Sequence, residues 1–275
     1  MYLIVIHVAF KRSFHPLYTL LDWLKKFHPG KKNLPLHNET NIEEFRTLNE
    51  VIEDTSNRNI EAYNRQKQFV ENAAHELQTP LAICMNKIEL LSDHPEMNEE
   101  QLEEIADVQR ILQRLIRTNK SLLLLSRIEN KQFPETKLVK INYVVKNITT
   151  DLSNMYQHKE LKISIREKNK LTYQMNESLA FGLIGNLLSN AFVYTPPKGE
   201  INIYITRNNL IIENTSEKES LEKEKLFDRF IKYGDNENAT GLGLAVSKSI
   251  TQLYKIQINY KYNGKHQFIL TFPTH

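Results

Sequence analysis

The chain is 275 residues long, with 36 Lys and Arg against 33 Asp and Glu, 40% hydrophobic residues, eight glycines and one cysteine. That length holds two modest domains, and a charged fraction of 25% is ordinary for a soluble globular protein, which argues against wholesale disorder and against a multi-span membrane protein. One cysteine excludes a disulfide framework or a multi-thiolate zinc site, the nine histidines form no His-Glu-x-x-His pair, and a net charge of +3 singles out no partner, so no direct nucleic-acid contact is expected.

Residues 1–10, MYLIVIHVAF, are almost wholly apolar and run into Lys11 and Arg12, a hydrophobic stretch with a basic flank. Ten helical residues rise about 15 Å against roughly 30 Å of hydrocarbon, so the stretch cannot span a bilayer alone. No small-residue cleavage site follows it. Two readings stand: the cytoplasmic end of a truncated transmembrane helix, or a buried or interfacial segment. Leu17, Leu20, Leu21, Leu24 and Phe27 then share a helical face beside Lys25 and Lys26, which suits a membrane surface and a small core equally. Pro29-Gly30 and Pro35 mark a break.

From Asn41 to Ser92 the only proline or glycine is Pro80, so the sequence predicts one long helix, interrupted or bent there. Val70, Ala73, Leu77, Leu81, Cys84, Ile88 and Leu91 follow spacings of three and four and predict a packing seam, with Cys84 as a packing residue. After Asp93-His94-Pro95, Asn98 is placed to cap a second helix with Gln101 in the capping-box position and Glu99 and Glu100 in its first turn. Ile105, Val108, Leu112, Leu115 and Leu122 form its face to about Asn130, with Ser121 to Leu125 read as bundle core. Two antiparallel helices of this composition leave too much apolar surface exposed to stand alone, so a homodimer with a four-helix bundle is expected.

On the first of these helices His75 and Glu76 lie one turn before Thr79 and Pro80. If Ala74, Leu77 and Leu81 face the seam, His75 projects to solvent, since neighbours on a helix point about 100° apart. An exposed neutral imidazole is a competent nucleophile, and Glu76 could accept the proton of its other nitrogen. An arbitrary His-Glu pair, taken alone, is more often plain helix surface.

From about Phe133 the character changes to short alternating segments. Strands are expected at Leu161–Arg166, Glu200–Thr206, Leu210–Glu213, Ile256–Lys261 and Gln267–Phe272, with turns at Asn208-Asn209 and Asn263-Gly264. Helices are expected at Asn176–Tyr194 and Gly241–Tyr254, and the absence of βαβ regularity predicts an α+β sandwich. Asn186 and Asn190 share one helix face, and their amide oxygens are hard ligands suited to Mg²⁺. Leu226-Phe227-Asp228-Arg229-Phe230 sits in a polar stretch from Thr215 to Ala239, long enough to be a functional lid. Thr240-Gly241-Leu242-Gly243-Leu244 opens a helix where backbone N–H groups can approach phosphates. Tyr194 is placed to stack on a base or to fill the core.

Asn72-Ala-Ala-His75-Glu76-Leu-Gln-Thr79-Pro80 resembles the phosphoacceptor box of two-component sensor histidine kinases. The asparagine helix, the lid with its Phe anchors and the Gly-Leu-Gly-Leu helix follow in that family's order over roughly residues 60–275. The resemblance implies a dimerising, histidine-phosphotransfer hairpin over 41–132 and a Bergerat-type ATP-binding α/β sandwich over 133–275, with residues 1–40 membrane-proximal. It further implies ATP and Mg²⁺ as cofactors, with Asn190 as the metal ligand and Asn186 beside it. Tyr194 would lie near adenine, and Gly241, Leu242, Gly243 and Leu244 at the phosphates. His75 would be autophosphorylated, Glu76 would take its proton, and the phosphoryl group would pass to an aspartate of a separate response regulator. Thr79 would orient water for dephosphorylating that regulator. The same resemblance favours a membrane origin for residues 1–10, hence a bacterial cell-membrane protein with a cytoplasmic catalytic portion.

Two departures stand out. The family's Asp-x-Gly-x-Gly is here Asn214-Thr215-Ser216-Glu217-Lys218, so Asn214 replaces the adenine-binding Asp and both glycines are lost. Its amide oxygen still accepts a hydrogen bond. The asparagine helix commonly carries a cation three residues past the second Asn, where this chain has Val193, leaving Arg229, Lys232 or Lys248 as candidates to neutralise phosphate. Ser216, Lys218 and Val193 support a rival reading as a degenerate kinase serving as a dimeric scaffold or phosphatase-biased regulator. An ATPase without phosphohistidine is a third reading.

Overall fold

The computed structural model describes residues 2–30, 33–94, 97–216, 220–233 and 239–274. The chain divides into two compact units, residues 1–72 and 73–275.

In the first unit, helix α1 spans Tyr2–Lys26 with Pro16 inside it. Leu20 is buried, whereas Tyr2, Leu3, Ile6 and Phe10 are well exposed. The Asn38 side-chain amide donates to the Pro16 carbonyl at 2.9 Å and to Asn49 Oδ1 at 2.9 Å, and Phe14 meets Phe45 edge to face. Among the described residues no helix is long and apolar enough to cross a membrane.

Helix α2 spans Glu43–Ser92 and is one helix through Pro80, where an interruption or bend is expected from the sequence. The proline lacks the N–H that the Glu76 carbonyl would otherwise accept, yet the helix is continuous on both sides of it. Helix α3 spans Glu99–Glu129 and begins with the expected capping box: Asn98 Oδ1 accepts from the Gln101 N–H at 2.8 Å and Gln101 Oε1 from the Asn98 N–H at 3.1 Å. Of the predicted turn, Pro95 and Glu96 lie outside the described residues. The predicted seam is only partly covered within one chain. Ala74 is buried and Leu81 and Ile88 half-buried, but Leu77, Cys84 and Leu91 are exposed, because two helices can cover only one stripe of each other.

The end of α3 departs from the expected bundle core. Leu125 and Ile128 belong to the core of the sandwich, with Leu122 and Leu124 packed against it. The sandwich comprises β1 (Lys137–Lys140), α4 (Ile141–Met155), β2 (Lys162–Glu167), β3 (Thr172–Met175), α5 (Glu177–Tyr194), β4 (Glu200–Ile205), β5 (Asn209–Asn214), α6 (Gly243–Leu253), β6 (Gln257–Tyr262) and β7 (His266–Thr271). The main sheet has the order β2-β4-β5-β7-β6, with β2 and β4 parallel and the other neighbours antiparallel. Strands β1 and β3 form a separate antiparallel pair.

Strict alternation makes Ile201, Ile203 and Ile205 on β4 and Leu210 and Ile212 on β5 face the helices. Helix α5 answers with Leu183, Ile184, Leu187, Leu188 and Phe192, all buried. Its N-cap, Asn176, accepts from the Leu179 N–H at 3.2 Å. The turn between β6 and β7 places Gly264 at φ +73°, a conformation a Cβ disfavours. A helical hairpin followed by an α+β sandwich is therefore the fold, as the sequence predicts.

Candidate functional site

A cleft of about 1050 Å³ opens beside α5 in the second unit. Five residues of α5 line it, Asn186, Ser189, Asn190, Val193 and Tyr194, on the face set by spacings of three and four. Asn186 Nδ2 donates to the Gly243 carbonyl at 3.0 Å, and Ser247 Oγ donates to that carbonyl at 3.0 Å. These bonds pin the asparagine helix to the first turn of α6. A Cβ built on Gly243 would meet nothing nearer than the Asn186 side chain at 3.8 Å, so this backbone stands open toward the cleft.

Gly241 answers to a different requirement. It sits at φ +71°, and an added Cβ would lie 2.6 Å from the Phe230 carbonyl carbon. Phe230 is itself left-handed, at φ 65°, which strains a non-glycine residue, and its N–H donates to the Gly241 carbonyl at 2.9 Å, so the two residues are held against each other. Leu244 lines the cleft; Leu242 does not, being fully buried in the core, with its N–H on Thr240 Oγ1 at 3.3 Å.

Asn214, the last residue of β5, is buried and lines the cleft. Its Nδ2 donates to the Thr215 carbonyl at 2.9 Å, which keeps Oδ1 as an acceptor. Burial raises the pKa of Tyr194 above its usual value and keeps its hydroxyl neutral. Residues 217–219, Lys218 among them, and 234–238 of the predicted lid lie outside the described residues. Within the described part, Leu226 is buried, Arg229 pairs with Glu129 of α3, and Lys248 lies 5.5 Å above the Phe227 ring. Of the three cations proposed from sequence for phosphate, Lys232 alone lines the cleft.

His75, Glu76 and Thr79 are exposed on α2 and do not line the cleft of their own chain. Beside them, Asn119 of α3 is buried and its Nδ2 donates to the Ala74 carbonyl at 2.6 Å, tying the two helices together one residue before His75.

Sequence reasoning missed two further features of the cleft. Lys159 donates from Nζ to the carbonyls of Phe192, Val193 and Thr195 at 3.0, 2.8 and 3.0 Å, and burial lowers its pKa. It caps the negative C-terminal end of α5, which would otherwise face the cleft with bare carbonyls. Tyr260 Oη accepts from the Leu221 N–H at 3.1 Å and lies 2.7 Å from Nδ1 of buried His266, opposite Asn214 in register. No spacing rule points to either, because their partners are brought by tertiary folding.

Residues 65–131 match the His Kinase A (phospho-acceptor) domain family, and residues 175–275 match the histidine kinase-, DNA gyrase B- and HSP90-like ATPase family. The chain belongs to the two-component sensor histidine kinases. Among its relatives in that family, the heme sensor protein HssS of Staphylococcus epidermidis (strain ATCC 12228) is 30% identical over 261 residues, covering 93% of this chain and 57% of the relative. HssS of Staphylococcus aureus (strain Newman) is 31% identical over 220 residues, 76% of this chain and 47% of the relative. The chain thus spans about half the length of the curated sensor kinases it matches. Full-length ShkA, solved in complex with AMPPNP, aligns with a TM-score of 0.59 at 15% identity over 76% of this chain and 47% of that one, a likeness of fold.

Proposed function

We propose that this chain is the transmitter of a sensor kinase: it transfers the γ-phosphoryl group of ATP to His75, and from there to an aspartate of a response regulator. The observation that carries the reading is the pairing of an exposed His75-Glu76 step on α2 with a downstream cleft built from Asn186, Asn190, Asn214 and the Gly243 turn. The hairpin, 41–132, would dimerise with a second copy, and residues 133–275 would bind nucleotide.

The donor set fits Mg·ATP. Asn190 would hold Mg²⁺ through its amide oxygen, with Asn186 Oδ1 beside it while Nδ2 stays on Gly243. Asn214 would accept from the adenine amino group, and Tyr194 would pack near the base. Gly241, Gly243 and Leu244 would face the phosphates through the backbone N–H groups of the α6 N-terminus, where Leu242 provides no side-chain cap. When bound, Mg·ATP supplies the phosphoryl group and a leaving group whose charge the metal offsets. His75 attacks the γ-phosphorus with one ring nitrogen, the bond to the bridging oxygen of ADP breaks, and Glu76 accepts the proton of the other nitrogen. Thr79, one turn on, would orient water for the reverse task of dephosphorylating the regulator. The apolar run ahead of Lys11 and Arg12 supports attachment at the cell membrane, with the catalytic portion in the cytoplasm.

Incubation with γ-labelled ATP should give an acid-labile, base-stable phosphate on the chain that is absent from His75→Gln. Free phosphate without protein label would instead mark an ATPase, and neither signal would mark a scaffold.

A further inference from the structure

One turn of α3 faces two ways. Through buried Asn119 it is tied to the Ala74 carbonyl, next to His75. Through Arg117, Lys120 and Ser121 it lines the cleft. Positions 117, 120 and 121 follow helical spacings of three and four, so they share a face, and Asn119 points about 100° or more away from it toward α2.

The cleft also has a charge problem. The α5 residues that line it are uncharged, and its cations among the described residues are Arg117, Lys120, Lys159 and Lys232. Lys159 is committed to three carbonyls at the end of α5. Arg229 is paired with Glu129 and Lys248 rests on Phe227, so neither offers an obvious countercharge. A triphosphate keeps net negative charge even with Mg²⁺ bound, and charge-assisted hydrogen bonds are the strong ones available to it. The exposed Lys120 has no ion-pair partner among the described residues. Helix α3 packs against α6, whose first residue, Gly243, marks the phosphate end of the cleft.

We propose that Arg117 and Lys120 are substrate-contacting residues: α3 supplies the cationic wall that receives the γ-phosphate of ATP, on the same helical turn that Asn119 locks beside His75. The proposal rests on the cleft's being the ATP site. It makes the hairpin part of the nucleotide site, so the phosphate end of that site is complete only while α3 is docked. The register that Asn119 fixes then sets both the height of His75 and the position of the two cations, and an axial slip of α3 would disturb them together.

The test uses the full chain carrying His75→Gln, so that nucleotide is not turned over, with Mg²⁺ and calorimetric titration of ATP and, separately, ADP. Replacing Arg117 and Lys120 together with Gln should weaken ATP about tenfold, while ADP, which lacks the γ-phosphate, moves less than about twofold. The charge-retaining pair Arg117→Lys and Lys120→Arg should keep most of the ATP affinity. Unchanged ATP affinity in the Gln pair, or equal weakening of ATP and ADP, would overturn the proposal while leaving the ATP site standing. Failure of the His75→Gln chain itself to bind millimolar ATP would overturn both.

Discussion

On α5 of the sandwich, Leu183, Ile184, Leu187, Leu188 and Phe192 are at most 1% exposed, whereas on the hairpin Ile83, Leu90, Ile111 and Leu115 are between 48% and 73% exposed. The sandwich closes its core within one chain because a five-stranded sheet offers a broad apolar face to three helices. The hairpin has the same kind of side chains, but away from the C-terminal end of α3, which packs on the sandwich, its helices have only each other, so each keeps an uncovered stripe. The contrast separates two sources of stability: the sandwich should fold at any concentration, while the hairpin should gain stability from the proposed second copy.

The sharpest way to break that contrast is to damage the self-sufficient half. Leu187→Ala removes a fully buried side chain between α5 and the sheet and should cost about 2–5 kcal/mol. Its denaturation midpoint should fall without any dependence on protein concentration. A concentration-dependent loss would mean the sandwich too leans on a partner chain. Next in size, Ile111→Glu puts a charge on the open stripe of α3 and should weaken dimerisation by about 2 kcal/mol, roughly thirtyfold in dissociation constant. Sedimentation equilibrium reads this directly. If the dimer constant stayed put, the stripe through Ile111 would not be the contact between copies.

The same contrast governs what could be read in advance. Helix α3, its capping box, α5 and strands β2 and β4 to β7 were legible to within about two residues, since each has either a local cap or a run of alternation long enough to count. Strands β1 and β3, of four residues each, and helix α4 were not legible. Helix α4 opens with the β-branched Ile141, Val144 and Val145, behind Lys140, which makes no side-chain cap. Its helicity comes from burial against the sandwich rather than from local preference. In the site, Asn186, Asn190 and Gly243 showed in their spacing. Lys159, whose acceptors lie 33 to 36 residues away, and Asn119, whose acceptor lies 45 away, showed nothing. The resemblance to a family supplied the roles, and packing supplied these partners.

The smallest expected effect tests whether surface charge adds anything to the sandwich's independence. Lys265, in the turn between β6 and β7, donates to Glu200 Oε2 at 2.9 Å and lies 3.8 Å from Glu213. The hydrogen bond and charge of Lys265 hold Glu200 below its usual 4.5, and the bond to Glu200 raises Lys265 above its usual 10.5. For Glu200 the folded pKa is the lower one, so its contribution is present above 4.5 and is lost as pH falls through the lowered folded value. For Lys265 the folded pKa is the higher one, so its contribution is present below 10.5 and is lost as pH rises through the raised value. Urea midpoints of the parent chain and Glu200→Gln should therefore differ by a small, constant amount near neutrality. The gap should close as the pH falls below 4.5, because position 200 then loses a charge in the parent and not in Glu200→Gln. A gap that persists in acid would assign the effect of Glu200 to packing at the start of β4 and not to its charge.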